Sequence, residues 1–441
     1  MSSLSTLNIS ENSCNYEAEK FIDFVNSSPS PFHAVDSVKK TLSKNGFKEL
    51  SEKHSWNECI RPNGRYYFSR NGSTVVAFAV GGNYKPGNGF NMIGAHTDSP
   101  CLKLKPVSMK QNNGYLKVGV QTYGGGLWHT WFDRDLSVAG VVMVESEGHF
   151  TQTLVRIDDL NYGAESQGNK EEMEVNSDTP LNHHAILLKK IADTLKIKVS
   201  QIRDFELCLY DTQPSAIGGI CNEFIFSPRL DNLNSSYCAI EALVRSTKNS
   251  EALSSDNRIW LAALFDNEEV GSRSAYGADS SLLDNFIRRL QVNGSFASFE
   301  ESIANSFLIS ADMAHAIHPN YPEMHEENHA PAMNKGMVIK VNAGQRYATT
   351  SATSTMIKVI AEKHNLNIQQ FVCRNDVPCG STIGPLISSN LGVRTIDVGN
   401  PMLSMHSIRE TMGTDDVSSA ISLFKAFYTE FTELDSKFKV D

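Results

Sequence analysis

IWLAALF at residues 259–265 runs straight into Asp266, Glu268 and Glu269. Seven consecutive apolar residues, without the polar alternation of a half-exposed strand, read as a strand buried on both faces. Two other segments repeat the arrangement. FNMIGA at 90–95 runs into His96 and Asp98, and SFLIS at 306–310 runs into Asp312 and His315. VRTIDVG at 393–399 is a further strand-like run, and His406 follows it in PMLSMHSIRE. Helical segments at 233–246 and near 280–290 separate the later runs, so helices and strands alternate after about residue 230. That alternation predicts βαβ units around a mostly parallel sheet. Ligands of open α/β sheets bind beyond the carboxyl ends of the strands. Polar groups gathered there from separate strands are what a metal or catalytic site requires.

Upstream, residues 16–27 read as an amphipathic helix with Phe21, Phe24 and Val25 on one face. A second helix starts at Ser30-Pro31 and stops near Gly46. STVVAFAVG at 73–81 is another buried strand. From about 102 to 230 the texture is β-rich: LKLKPV, GYLKVGVQTY, LSVAGVVMV, TQTLVRI and FELCLYD, with helical periodicity only around 181–196. Residues 161–180 are polar and acidic and read as a solvated loop. The simplest organisation is one α/β domain, residues 1–100 and 228–441, interrupted by a β-rich domain at 101–227.

The 441 residues are 40% hydrophobic and 20% charged, close to the globular average, which excludes wholesale disorder and collagen-like structure. A net charge of −10 without a Lys/Arg cluster argues against nucleic acid or an anionic membrane as partner. No segment approaches about 18 consecutive apolar residues, so no membrane-spanning helix is expected. The first twenty residues have neither a basic n-region nor an apolar h-region. No secretory signal is expected, and the cytoplasm is the expected compartment, with a vacuole or lysosome reached by selective transport as the alternative. The eight cysteines are scattered without a CxxC pair, which fits a reduced protein better than a disulfide framework or a thiolate zinc site.

Asp231, in SPRLDNLNSS just before a helix, joins the residues at the strand ends. The candidate set is two histidines, His96 and His406, with three or four carboxylates and no cysteine. Such ligands suit zinc, manganese or cobalt. One bridging carboxylate, with a histidine and a carboxylate on each side, holds two ions roughly 3.5–4 Å apart and lowers the pKa of a shared water. An unligated carboxylate beside them can act as general base. Each piece has a plainer reading. His96-x-Asp98 alone is a hydrogen-bonded pair, Glu268-Glu269 a solvated loop, Asp231 a helix N-cap and His406 an idle loop residue. Their coincidence at successive strand ends favours the metal reading. His325-Glu326-Glu327-Asn328-His329 matches HExxH, but that motif needs a helix to bring both histidines to one face. Pro319, Pro322 and Pro331 crowd the segment, which reads as a loop with no metal. Gly124-Gly125-Gly126 is too short to cradle a phosphate and reads as a turn.

Longer stretches carry a resemblance. SPSPFHAV (28–35), IGAHTDSP (93–100), TYGGGLWHTWFDRDLSVAG (122–140), SPRLDNL (227–233), DNEEVGS (266–272), SADMAHAIHPNYPEMHEENH (310–329), VIKVNAGQRYATT (338–350), RNDVPCGSTIGP (374–385) and MHSIRE (405–410) span nearly the whole chain. In these stretches, and in their order, the chain resembles the M18 metallopeptidases, the aspartyl aminopeptidase family. The resemblance implies a zinc-peptidase α/β core, a mixed or parallel sheet flanked by helices, with an inserted β-rich dimerisation domain. It implies removal of an N-terminal Asp or Glu from peptides with two divalent ions, zinc first and manganese or cobalt as alternatives. Asp231 would bridge the ions, His96 and Asp312 would complete one site, and Glu269 and His406 the other. Glu268 would be the general base, and Asp98 would orient His96. Lys340 would pair with the acidic side chain of the substrate. His315 and Tyr347, with Glu268 and His406, would contact the substrate. On residues alone, Lys340 reads as a strand lysine facing solvent. Family members assemble from dimers into tetrahedral dodecamers, so a homo-oligomer is implied.

One departure stands out. After LVRI (154–157) the family continues with a stretch of the form IPxLAIH, whose histidine reaches a neighbouring subunit's active site in some members. Here RIDDLNYGAESQGNKEEMEV follows, without a counterpart, and His183 and His184 stand in a different context, TPLNHHAILLKK. The departure bears on subunit contact, substrate recruitment and activity. Two other readings stay open: a metallohydrolase of broader or different specificity, and a non-catalytic scaffold that keeps the fold and assembly.

Overall fold

The computed structural model describes residues 14–158, 182–248 and 250–439. The solvated loop expected at 161–180 lies outside them. The main sheet has nine strands, and its four central ones are Ile259–Phe265, Phe90–His96, Phe307–Ala311 and Arg394–Gly399, side by side in that order and all parallel. Side chains alternate between the two faces of a strand. Leu261, Ala263 and Phe265 accordingly enter one core layer and Trp260, Ala262 and Leu264 the other, all buried. Removing each large side chain of this kind from water contributes about 1.5–3 kcal/mol. The layer on one face is built with helices Cys14–Asn26, Leu230–Lys248, Ser351–Lys363 and Thr414–Asp435. The layer on the other is built with Leu282–Leu290 and Ile383–Leu391. The fold is therefore α/β, with a sheet between two helical layers.

Thr74–Val80 runs antiparallel to Ile259–Phe265, and Met337–Val341 antiparallel to Arg394–Gly399, so the sheet is mixed beyond its parallel centre. Register levels the ends of the central strands. Phe265 lies beside His96, Ser310 beside Gly94 and Ala311 beside Val398. The polar residues that follow these strands emerge at one edge.

The β-rich stretch forms its own antiparallel sheet from Tyr115–Tyr123, Cys101–Asn112, Ile202–Asp211, Leu136–Ser146 and His149–Arg156. Helix Ala185–Leu195 packs on it, with Leu187 and Ile191 sharing a core with Val138, Val142 and Leu207. A third sheet orders Ala216–Gly218, Phe224–Ser227, Glu410–Gly413, Pro401–Leu403 and Ala314–His315. It carries the loop with His406 between its two strands Pro401–Leu403 and Glu410–Gly413. Among the described residues no helix is long and apolar enough to cross a membrane, and Cys59, Cys101, Cys208, Cys221, Cys238, Cys373 and Cys379 are free thiols.

Candidate metal centre

Each candidate ligand is held by the element that ends beside it. His96 closes the strand Phe90–His96, and its ring is buried. Asp231 has extended backbone where the segment entering helix Leu230–Lys248 has not yet become helical. It is not an N-cap. Its Oδ1 has no hydrogen-bond partner, and its Oδ2 lies 3.3 Å from His406 Nε2. Glu268 and Glu269 occupy a single 3-10 turn, Glu268–Val270, directly after Ile259–Phe265. Glu269 is enclosed there, not solvated, and its Oε1 also lacks a hydrogen-bond partner. Asp312 follows Phe307–Ala311, and His406 sits in the loop after Pro401–Leu403 with φ +68°.

The distances decide what this cluster can do. His96 Nε2 lies 3.4 Å from Asp231 Oδ1 and 3.6 Å from Asp312 Oδ1. His406 Nε2 lies 3.3 Å from both Asp231 Oδ2 and Glu269 Oε2. Ordinary N–H···O bonds span roughly 2.7–3.2 Å, so these four contacts are too long for good hydrogen bonds. Ligands about 2.0–2.2 Å from a tetrahedral ion stand about 3.3–3.6 Å apart, which is the spacing found. Ligand atoms of His96, Glu268 and Asp312 lie within 4.8 Å of one another, as do those of His96, Asp231 and Glu269; the two triplets share His96, and His406 joins the cluster through its contacts to Asp231 and Glu269. The orphaned Asp231 and Glu269 oxygens and the donor set both fit a pair of divalent ions.

Electrostatics point the same way. Burial, and the charges of Asp312 and Asp231, push Glu268 up to about 8 against the pull of His96. Burial and Asp231 push Glu269 well above the carboxylate range. So many enclosed carboxyl groups call for cations if all are to stay ionised.

Asp98 is fully buried beneath the cluster. Its backbone carbonyl lies 3.0 Å from His96 Nδ1, nearer than its Oδ1 at 3.3 Å, and its carboxylate oxygens accept hydrogen bonds from the backbone N–H groups of Glu268 and Glu269, each at 3.1 Å. Tyr123 donates to Asp98 Oδ2 at 2.6 Å. Against the cost of burial, these partners hold the carboxyl below its usual range. Asp98 thus lies against the His96 ring and holds the turn that carries both glutamates.

A pocket of about 490 Å³ opens from the cluster, lined by Glu268, Asp312, His315, Lys340, Tyr347 and His406 among others. Lys340 corrects the reading from residues alone. It does not face solvent; it is 3% exposed, with Nζ 3.5 Å from Asp312 Oδ2 and 5.4 Å from the centre of the Tyr347 ring. Confinement in the pocket, then Lys340, lowers the pKa of His315, which keeps the imidazole neutral. Asp266, the first acid after its strand, stays out of the cluster and is buried beside Thr74 and Asn267. The HExxH segment is a loop after the short turn Pro322–Met324, as expected, with His329 bonded to Glu326.

Three groups at the centre were not legible in the sequence. Tyr123 supports Asp98. The glycine turn presses on the site: a Cβ on Gly124 would lie 3.1 Å from Glu269 Cβ, and Gly125 O is 3.2 Å from His406 Nδ1. Glu410 accepts from the backbone N–H of both Asp231 and His406. All three lie in TYGGGLW and MHSIRE, the stretches that carry the resemblance, but no spacing rule marks them.

Comparison with known proteins defines the class. A family model described as aminopeptidase I zinc metalloprotease (M18) matches residues 24–162 and 161–428, and the chain belongs to this family. A metal cofactor comes with that membership. Among curated relatives, the aspartyl aminopeptidase of Aspergillus oryzae is 48% identical, aligned over 96% of this chain and 97% of its own length. Among solved structures, the cryo-EM structure of the Ape4 and Nbr1 complex matches at 45% identity and TM-score 0.92, covering 97% of this chain and 88% of that one. The mApe1 dodecamer of Saccharomyces cerevisiae matches at 33% identity and TM-score 0.86, covering 97% of this chain and 100% of that one. The family match breaks at 161–162, within the stretch where the sequence departs from the family pattern. The Aspergillus alignment runs over 483 positions, more than the 441 residues present here, so that relative carries residues without a counterpart in this chain.

Proposed function

We propose that the chain is a two-metal aminopeptidase that removes Asp or Glu from the N-termini of peptides. The observation that carries this reading is Lys340, a buried cation 3.5 Å from a carboxylate of the metal cluster and on the wall of the same pocket. Asp231 would bridge the ions, His96 and Asp312 would hold one, and Glu269 and His406 the other. Zinc is the family's metal, with manganese or cobalt as alternatives. When bound, the two ions acidify a shared water and polarise the scissile carbonyl.

The chain's own residues do the rest. Glu268 takes a proton from the attacking water and returns it to the leaving amine. Asp98 keeps His96 and the Glu268–Glu269 turn in register. Lys340 receives the substrate's acidic side chain, with Tyr347 packed against it. Neutral His315 donates to the oxygen where negative charge develops.

Residues 1–100 and 228–441 form the catalytic part, and 101–227 the dimerisation part, with strands Ala216–Gly218 and Phe224–Ser227 as the join. The protein works as a homo-oligomer like the dodecameric relative, in the cytoplasm or a vacuole.

The test is hydrolysis of N-terminal Asp, Glu, Leu and Lys amides by purified protein with zinc, manganese or cobalt, and with a chelator control. Chelator-sensitive turnover of Asp and Glu alone is expected. Turnover of Leu would keep the metal reading and discard the role of Lys340. Silence with every metal would favour the non-catalytic scaffold, with the departure after Ile157 as its cause. Glu268→Gln is expected to lose about 10²–10⁴-fold in turnover and keep its metal; retained activity would overturn the general-base role.

A further inference from the structure

Glu410 is a buried carboxylate at the start of the strand Glu410–Gly413, 2% exposed. Its Oε1 accepts from His406 N at 2.8 Å, and its Oε2 accepts from Asp231 N at 3.2 Å. No lysine or arginine among the described residues forms an ion pair with it. Burying a carboxyl group without a lysine or arginine partner is costly. What it does is tie together two backbones that arrive from different elements. One is the non-helical segment at Asp231; the other is the loop in which Ser404 and His406 hold φ values of +60° and +68°. Non-glycine residues in that region persist only where their surroundings fix them. Glu410 is itself fixed, because its strand pairs with Phe224–Ser227 on one side and Pro401–Leu403 on the other.

We infer that Glu410 is a positioning residue for the ion site formed by His406, Glu269 and Asp231, setting the distance between the two ligands it grips. The inference rests on the two-ion reading above. It makes Glu410 the counterpart of Asp98. Asp98 braces His96 and the glutamate turn, and Glu410 braces the bridging aspartate and the second histidine. Glu410 acts through backbone N–H groups alone, and Asp98 through the backbone N–H groups of the glutamate turn and the His96 ring.

The conservative change Glu410→Gln keeps the shape and removes the function. A glutamine side chain has one accepting oxygen, and its amide nitrogen cannot accept, so one of the two backbone N–H groups loses its partner. The experiment is equilibrium zinc titration of the metal-free full chain against a chromophoric chelator, for wild type and Glu410→Gln, with thermal unfolding followed in parallel. The expected result is two equivalents in wild type. In the variant, the equivalent that also depends on His406 weakens by about 10–100-fold and the other, which shares only Asp231, weakens markedly less, with activity restored by excess zinc. Two equivalents of unchanged affinity in the variant would overturn the inference. Equal weakening of both, together with a lowered Tm, would mark a purely structural role and overturn it as well. Fewer than two equivalents in wild type would defeat the two-ion reading itself, a separate failure. If Glu410→Gln does not fold, Glu410→Asp retains the charge and withdraws its reach by one methylene, and the same split between the two equivalents is required of it.

Discussion

Replacing Lys340 with methionine removes a cation and leaves most of the side-chain volume. Lys340 Nζ is 3.5 Å from Asp312 Oδ2, and the side chain is 3% exposed. In the variant, a substrate carboxylate entering the pocket meets Asp312 and Glu268 with no lysine to balance them. Truncating one partner of a buried, hydrogen-bonded charge pair costs about 2–5 kcal/mol. At about 1.4 kcal/mol per decade, kcat/KM for an N-terminal Asp substrate falls by roughly 30- to 4,000-fold. A Leu substrate makes no such pair and gains a more apolar wall, so its kcat/KM holds within roughly threefold or rises. The Asp-over-Leu ratio should therefore collapse by nearly the whole factor. The assay is steady-state hydrolysis of both amides by wild type and Lys340→Met, with zinc content measured on the same samples. A variant with normal zinc that keeps the wild-type ratio would refute the charge-pairing argument.

Gly124→Ala is expected to lower Tm and weaken zinc binding. The residue holds φ +75° and its new Cβ would crowd Glu269 Cβ at 3.1 Å, on top of about 1–2 kcal/mol of left-handed strain; unchanged Tm and titration would count against this. Chelation should lower the Tm of the wild-type chain, since an ion at 100 times its Kd contributes about 2.7 kcal/mol to the folded state and relieves the crowded carboxylates. A chelator-insensitive Tm would refute a structural contribution from the metal. His33 titrates near 4 in the fold instead of 6.5, held down by burial and then by Arg156. The fold keeps it neutral, so its contribution to stability is complete above about pH 6.5 and declines as the pH falls from there toward 4. Denaturant unfolding at about pH 7.5 and about pH 5 should show a smaller loss in His33→Gln than in wild type; an equal loss would contradict the assignment.

Much of the α/β core was legible because strands buried on both faces must be apolar throughout. The runs at 90–95, 259–265 and 306–310 became adjacent or near-adjacent parallel strands, with their polar successors at one edge. The helix expected at 233–246 is Leu230–Lys248, and the helical patch within the β-rich stretch is Ala185–Leu195. The apolar runs alone point to a mostly parallel sheet, and its mixed character is implied only by the resemblance. Strand direction depends on which partner a strand meets, and Thr74–Val80 and Met337–Val341 meet theirs antiparallel.

By itself, the sequence determined which chemistry was available: imidazole and carboxylate ligands, no thiolate set, and their attachment to strand ends. Those are properties of residue type and of period along the chain. The tertiary structure alone decided the distances. His406 comes within 3.3 Å of Asp231 and of Glu269, both far from it in the chain, only because strands of the main sheet and of the third sheet end at the same place. It alone decided that Lys340, on an edge-side strand that reads as solvent-facing, is enclosed beside Asp312. It alone set Gly124, Tyr123 and Glu410 against the ligands. Burial and ligand spacing are relations between distant segments, and local sequence pattern carries no term for them.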